Sequence, residues 1–311
     1  MRQWLLAVLV VGVAGTVSAQ GIEWQTLQEE AVALNQRGQY AQAVTVASKA
    51  LDIAKASVPP NAQAENDSTA QLAFAYSGNR QPADAEPLFA RYLDAEKARL
   101  GAETPEYASV LSQVAAAYQR DGQTPKSLAL VTPSLKIREA ALGPAHPLVA
   151  QSLSQLALAY ESQDQPALAE PLYRKALAIP SPTGKPEQLA VATNQNRLAR
   201  LYTRQNQFAK AEPLLLASLA TREKLLGRND PQVAASLTDL GTLYAAQGQH
   251  LRAAGLHKRA LAIREQTLGS THPEVLASLD ALSKAMDQSD RMGLAIYYAN
   301  RATDLRGSVT R

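Results

Sequence analysis

Three arginines in one segment are the side chains of this 311-residue chain that are best suited to bind a ligand. Arg197, Arg200 and Arg204 stand at positions i, i+3 and i+7, which places them on one face of a helix, with Asn196 beside them. Segment 185–228 carries eight Lys or Arg and three Asp or Glu, a local net charge of +5 in a chain whose formal charge is +3. Because guanidinium groups bind carboxylates through paired hydrogen bonds, this arginine row predicts a site for an anionic group.

Two interpretations of the arginine row remain open on the sequence. It is either a binding face for an acidic or C-terminal peptide segment, or a solvated helix face that happens to be rich in arginine. Phe74 and Leu158 occupy the register of Arg200 in other copies of the repeat described below, as apolar anchors or as singly exposed residues. The residues that we hypothesise to contact a partner are Asn196, Arg197, Arg200, Arg204, Phe74 and Leu158.

The sequence offers no set of residues suited to catalysis. The chain has no Cys, which removes thiol nucleophiles, disulfides and zinc–thiolate sites. His250 and His257 are seven residues apart with no carboxylate pair nearby, which is poor geometry for a metal site. His146 and His272 each precede a proline between predicted helices and are expected to be structural. We therefore predict that the protein is not an enzyme and has neither a metal site nor a cofactor.

Composition also bears on the class of partner. The net charge of +3 and the aromatic content of 5% are low for a protein that binds nucleic acid through phosphate contacts and base stacking. We therefore expect a protein or peptide partner and no nucleic acid.

The first nineteen residues have the pattern of a secretory signal peptide. A positive start at Met1-Arg2 precedes an apolar run over 5–13, and small residues at Val17 and Ala19 predict cleavage after Ala19. This run is shorter than the roughly 20 residues that span a bilayer, so no stable membrane insertion is expected after cleavage. Export without any Cys favours a bacterial periplasm, or secretion, as the location.

The rest of the chain is built from copies of one unit of about 42 residues, a length within the range of helical repeats. Four ladders of residues keep the same period, among them a ladder of tyrosines: Tyr76, Tyr118, Tyr160, Tyr202 and Tyr244. Another ladder holds small residues: Ala43, Ala85, Ser127, Ala169, Ala211, Ala253 and Ala295. We predict seven units in a single domain over 20–311, at approximately 24–60, 66–101, 105–143, 147–180, 187–227, 231–269 and 273–306.

Each unit has the periodicity of two helices. In the fourth unit Leu153, Leu156, Ala157 and Tyr160 form one apolar stripe, and a second stripe follows over 169–177. One register between the two stripes holds residues that tolerate a left-handed backbone: Gly38, Gly122, Asp164, Asn206 and Gly248, with Arg80 in the second unit. Prolines that suit the first turn of a helix open several units: Pro105, Pro147, Pro231 and Pro273. The pattern predicts an all-α chain of about fourteen antiparallel helices.

The repeated apolar and small residues of these units resemble those of the tetratricopeptide repeat. Leu156, Ala157, Tyr160, Ala169 and Tyr173 match the spacing of that family, and phrases such as ALAIREQTLGSTHPEVLASL resemble its kinesin-light-chain subclass. The resemblance runs from about residue 24 to residue 306 and implies an α-solenoid, a right-handed superhelix whose first helices line a concave groove for peptides or partner proteins. The early Trp of the family is mostly Leu here, and three prolines interrupt the fourth unit over 179–188.

Two functions remain in view. The first is an exported scaffold or adaptor that binds a peptide or a partner protein in the groove. The alternative is a structural, self-assembling homo-oligomer in an envelope assembly. The last predicted helix mixes apolar residues such as Met292 and Ile296 with polar Asn300, Arg301 and Asp304, which is typical of a capping helix with a wetted outer face. That composition disfavours open-ended polymerisation.

Overall fold

The described residues, 19–180 and 184–309 of a computed structural model, form fourteen α-helices and contain no strand. The bounds are α1 Ala19–Gln36, α2 Tyr40–Lys55, α3 Ala62–Gly78, α4 Pro82–Leu100, α5 Pro105–Arg120, α6 Thr124–Leu142, α7 Pro147–Ser162, α8 Pro166–Ala178, α9 Lys185–Arg204, α10 Phe208–Leu226, α11 Pro231–Ala246, α12 His250–Leu268, α13 Pro273–Asp287 and α14 Met292–Val309. The predicted all-α class is confirmed. All of the predicted signal peptide except Ala19 lies outside the described residues.

The helices pair into seven hairpins through a repeated turn. In every hairpin one residue of this turn, shortly after the first helix, adopts a left-handed backbone with φ between 54° and 75°. These residues share one register of the repeat: Gly38, Arg80, Gly122, Asp164, Asn206, Gly248 and Asp290. The conformation closes the helix and lets the chain reverse into the second helix of the pair. The prediction is confirmed at Gly38, Gly122, Asp164, Asn206 and Gly248, and Arg80 and Asp290 adopt the same conformation.

The connections between hairpins also follow the sequence pattern. Pro105, Pro147, Pro231 and Pro273 are each the first residue of a helix. The residue before each proline caps that helix through its side chain: Thr104, His146, Asp230 and His272. In both histidines the Nδ1 atom accepts a backbone N–H, so they have the structural role that was expected.

The ladders of small residues and tyrosines hold neighbouring helices together. Every member of the ladder from Ala43 to Ala295 is buried, which allows close approach of the two helices in a hairpin. The tyrosine ladder reaches back to the preceding repeat. Tyr202 donates to Glu170 at 3.2 Å and Tyr244 donates to Glu212 at 2.8 Å, 32 residues earlier in each case.

The chain divides between Ile137 and Arg138, within α6, into two compact units. The first unit has a core around Phe89, which packs edge-to-face against Phe74 and Tyr118. The second unit has its largest cluster around Tyr173, Leu215 and their neighbours on α7 to α12. The prediction of one continuous solenoid stays a prediction.

The prolines of the fourth repeat shorten a helix. Helix α8 has 13 residues, whereas α4, α6, α10 and α12 each have 19. Helix α9 then begins at Lys185, four residues before the register at which its counterparts begin, and has 20 residues. The hairpins therefore continue past a local break, and residues 181–183 of that break lie outside the described chain.

The expected wetted cap at the end of the chain is only partly present. Ala295 and Ala302 of α14 are buried, but Met292 is 59% exposed and Ile296 is 52% exposed. Leu294 and Tyr297 on the same helix are also exposed. Asn300 and Asp304 are exposed, as predicted, but α14 also exposes Met292 and Ile296 beside a pocket that it forms with α13.

Candidate functional site

Helix α9 presents the arginine row on the side opposite its buried stripe. Leu198 and Tyr202 are buried, which fixes the helix against its neighbours. Arg200 and Arg204 are exposed, and Arg197 is partly buried. The structure thus places the three arginines on one helix face, as the spacing predicts.

Arg197 and Arg204 meet side chains of the preceding repeat. The Nη1 atom of Arg204 lies 3.8 Å from Oε1 of Glu161, at the end of α7. The hydroxyl of Tyr173 donates to the other carboxylate oxygen of Glu161 at 3.0 Å. Burial raises the pKa of Tyr173, and the nearby Arg197 guanidinium opposes that rise. One end of the row is therefore partly neutralised by Glu161.

Arg200 and Asn196 face the following repeat. The Asn196 amide donates to Oδ2 of Asp239, on α11, at 2.8 Å. Burial raises the pKa of Asp239, and the charge of Arg200 is the largest effect that opposes the rise. Asn196 is 5% exposed and connects α9 to α11. It was expected beside the arginines on the open face, and the structure does not place it there.

The two predicted apolar anchors are both partly buried. Leu158 lies on α7 in the second unit. Phe74 lies on α3 in the first unit, where its ring centroid is 5.1 Å from that of Phe89. Phe74 therefore belongs to the core of the first unit, whereas Arg197, Arg200 and Arg204 belong to the second unit.

A cavity of about 440 Å³ opens beside the arginine row, between α7, the end of α8 and the first half of α9. Its apolar lining includes Leu148, Ile179, Pro180 and Val191, and Arg197 is part of its wall. The cavity lies where α8 is shortened, so the prolines of segment 179–188 were its signal in the sequence. Sequence reasoning identified the break but did not predict a cavity.

Buried arginines at the ends of second helices were also missed by sequence reasoning. Arg222, on α10, is 6% exposed and donates to the Gln232 carbonyl at 3.2 Å and to Ser236 Oγ at 2.7 Å, both on α11. It also donates to Thr193 of α9. Burial lowers the pKa of the Arg222 guanidinium. The same arginine–serine link, with the serine fourteen residues later, recurs at Arg138–Ser152 and Arg264–Ser278.

The remaining histidine of interest is part of the core. His257 is 4% exposed, and burial together with the charge of Arg264 lowers its pKa to about 4. Among the described residues no group of three or more His, Asp or Glu side chains is placed to hold a metal ion. None of the helices within 19–180 and 184–309 has the length and apolar character needed to cross a membrane.

Comparisons with known proteins agree with the repeat and the hairpins. A sequence model of the tetratricopeptide repeat matches residues 106–180 and 190–266. The solved structure of BtubC (BKLC) from P. vanneervenii is 25% identical, with a TM-score of 0.61, and the match covers 71% of this chain and 89% of that one. A kinesin light chain of P. anserina with nearly identical tetratricopeptide-like repeats is 28% identical, with a TM-score of 0.56, over 67% of this chain and 98% of that one.

The same fold occurs in a more distant protein. RapI in its apo form is 14% identical, with a TM-score of 0.66, and the match covers 91% of this chain and 76% of RapI. No protein of curated function matches the sequence significantly. The sequence model thus identifies tetratricopeptide repeats within residues 106–180 and 190–266, and the described residues have the all-helical hairpin fold of the solved structures that they match.

Proposed function

We propose that the protein is an exported scaffold that binds a peptide or a partner protein through the open face of α9. The observation that carries the proposal is the row of three arginines, of which Arg200 and Arg204 are exposed, beside a cavity in the same unit. Proteins of tetratricopeptide repeats are generally non-enzymatic scaffolds, and we propose the same for this chain. A Rap protein of this fold has been solved in complex with Competence and Sporulation Factor, which supports a binding role for such helix hairpins.

The arginine row favours an acidic or C-terminal segment as the part of the partner that contacts α9. Each guanidinium has five N–H donors, and Arg204 shares its charge with Glu161 only at 3.8 Å. A carboxylate of the partner that approaches Arg200 and Arg204 can therefore form paired hydrogen bonds without displacing a strong internal ion pair.

Affinity capture tests this proposal. The bait is the chain from Gln20 onward, and the extract comes from the exported compartment of the cells that make the protein. The test variant is Arg200→Glu/Arg204→Glu, and the matched control is Arg174→Glu/Lys175→Glu, which reverses two exposed charges on α8 of the same unit. We expect a protein that is retained by the bait and the control and lost from the test variant.

Retention of the same proteins by all three baits would contradict a role for the arginine row. The binding segment of a retained partner is then mapped with overlapping peptides, and acidic peptides or the C-terminal peptide should bind. Export is tested separately by N-terminal sequencing of the protein from cells, where we expect the chain to begin at Gln20.

The alternative, a self-associating structural component, is favoured by one observation. Met292 and Ile296 expose apolar side chains beside a pocket between α13 and α14, a surface that a second copy could cover. Light scattering over a range of concentrations, on the unmodified chain and on Ile296→Asp, tests it. A mass that rises with concentration and falls to that of a monomer in the variant supports self-association, and a constant monomer mass contradicts it.

A further inference from the structure

The cavity beside Arg197 lies where the repeat pattern loses its buried arginine. Pro180 occupies the register that Arg138 holds one repeat earlier and that Arg222 holds one repeat later. Both of those arginines are buried, at 1% and 6% exposure, and each joins its own repeat to the first helix of the next one. At Pro180 the chain has no side chain that can make these bonds.

The groups that would receive such an arginine line the cavity. Arg222 donates to a carbonyl 10 residues later, to a serine 14 residues later and to a threonine 29 residues earlier. Counted from Pro180, the same three offsets lead to Ala190, Asn194 and Gln151. All three belong to the wall of the cavity. These three residues line the cavity because the repeat places equivalent positions of each junction around the register of Arg138, Pro180 and Arg222.

Two of these groups, Ala190 and Asn194, suit a guanidinium, whereas Oε1 of Gln151 already accepts from Arg138 at 3.3 Å. The main-chain carbonyl of Ala190 corresponds to the carbonyls of Leu148 and Gln232. Those two carbonyls lie within helices and accept hydrogen bonds from Arg138 and Arg222, respectively. The side-chain amide of Asn194 replaces the serine of the other junctions and also has an acceptor oxygen.

The remaining wall fits the rest of an arginine side chain. Ile179 and Val191 provide apolar surface for the methylene stem, and Glu187 supplies a negative charge. Arg197, in the same wall, is a cation that would repel a second guanidinium. Its charge also acts on Arg222, which is nevertheless buried in the neighbouring junction. A second guanidinium near Arg197 is therefore compatible with this fold.

We propose that the cavity binds an arginine side chain of the partner, which supplies the hydrogen bonds that Arg138 and Arg222 make at the neighbouring junctions. The inference rests on the proposed function, since the arginine belongs to a bound protein or peptide. It adds a second, positively charged element to the acidic segment that the arginine row favours.

Titration with a small probe, followed by NMR of the isotopically labelled full chain, tests this site. The probe is N-acetyl-arginine amide, and the comparison ligands are N-acetyl-citrulline amide, which has the same length without the charge, and N-acetyl-lysine amide. We expect saturable shifts at the Asn194 side-chain amide and the Ala190 backbone amide with the arginine probe. Citrulline should bind at least about tenfold more weakly, because it loses the charge-assisted bonds.

A pair of variants locates the binding. Asn194→Leu removes the acceptor at the centre of the proposed site, and Asn300→Leu makes the same change on the exposed surface of α14. The shifts should disappear in Asn194→Leu and persist in Asn300→Leu. Equal responses to arginine, lysine and citrulline would overturn the proposal, and this comparison needs only the unmodified chain if Asn194→Leu does not fold. An absence of shifts at Asn194 and Ala190 would overturn it too.

Failure of this inference is distinguishable from failure of the scaffold proposal. Partners retained in the capture experiment, together with no response to the arginine probe, would leave the scaffold and remove the arginine site. A response to the probe with no protein retained by any bait would leave the cavity as a guanidinium site and remove its assignment to a protein partner.

Discussion

The guanidinium of Arg222 and the hydroxyl of Ser236 are joined by a 2.7 Å hydrogen bond that connects the end of one repeat to the first helix of the next. The bond recurs at 2.8 Å between Arg138 and Ser152. A third copy, between Arg264 and Ser278, is 2.7 Å long. The second unit is therefore held together by a periodic polar link in addition to its apolar ladders.

We predict that Arg222→Met weakens the second unit strongly. The substitution keeps an apolar stem but leaves the Ser236 hydroxyl and the Gln232 carbonyl without the partner that they have in the native junction. Loss of a partner for buried polar groups should lower the free energy of unfolding by about 3 kcal/mol. Urea unfolding monitored by circular dichroism measures the change.

The matched control for that experiment is Arg174→Met on α8. Arg174 is exposed, and its nearest carboxylate, that of Glu170, lies 3.9 Å away. An exposed ion pair of this kind contributes less than about 1 kcal/mol. Similar losses in the two variants would show that the arginine–serine link is not a special source of stability.

The sequence was sufficient to predict the helices but not these links. The tyrosine and small-residue ladders recur at a constant spacing along the chain, so the repeat was visible without any structure. The buried arginines occupy only some units, and the same register holds Glu96 in the second repeat and Pro180 in the fourth. Arginine on a helix is usually exposed, and only the packing of three helices shows that these arginines are buried.

We predict that His257 makes the protein less stable in mild acid. The imidazole is buried, and its pKa is lowered from 6.5 to about 4. Between these two values the unfolded chain binds the proton and the folded chain does not, so the stability contributed by this group is complete above pH 6.5 and is lost as the pH falls toward 4. From pH 7.5 to pH 5 the loss should be about 2 kcal/mol.

The variant His257→Leu isolates this effect, because Leu215 occupies the same register in the preceding repeat. The difference in unfolding free energy between the unmodified chain and the variant should grow as the pH is lowered from 7.5 to 5. A difference that stays constant with pH would show that the histidine is as easily protonated in the folded chain as in the unfolded one.

We predict that Gly241 and His257 are coupled. A Cβ atom added at Gly241 would lie 2.7 Å from Cε1 of His257, so Gly241→Ala should cost about 1–3 kcal/mol through overpacking. The preceding repeat holds Ala199 and Leu215 at the equivalent positions, within one apolar cluster. The double variant Gly241→Ala/His257→Leu should therefore be more stable than the unmodified chain, since Ala also favours the helix by about 1 kcal/mol.

A double-mutant cycle measured by urea unfolding tests this coupling. The two single changes should fail to add, with a favourable interaction in the double variant. Additive changes would mean that the imidazole moves aside without cost when Gly241 is replaced.

The candidate site was predicted in part. The spacing of Arg197, Arg200 and Arg204 was enough to place them on one helix face, because helical periodicity is a local property. Their partners Glu161 and Asp239 lie in the repeats before and after, and no pattern in the sequence predicts which side chains of neighbouring repeats will meet. The burial of Asn196 was missed for the same reason, since it depends on the approach of α11.

The contact between Asn196 and Asp239 provides the last prediction. The Asn196 amide donates to Asp239 at 2.8 Å and thereby stabilises a carboxylate whose pKa burial raises. In Asn196→Leu the ionised carboxylate loses this donor, so the unfolding free energy should fall by about 2 kcal/mol at pH 7. The loss should shrink as the pH is lowered to 4, because a protonated Asp239 needs the donor less. Urea unfolding at both pH values measures this loss.

The control is Asn300→Leu on exposed α14, which should show neither the loss nor its pH dependence. An equal loss for Asn196→Leu at pH 4 and pH 7 would mean that Asn196 supports packing and not the charge of Asp239.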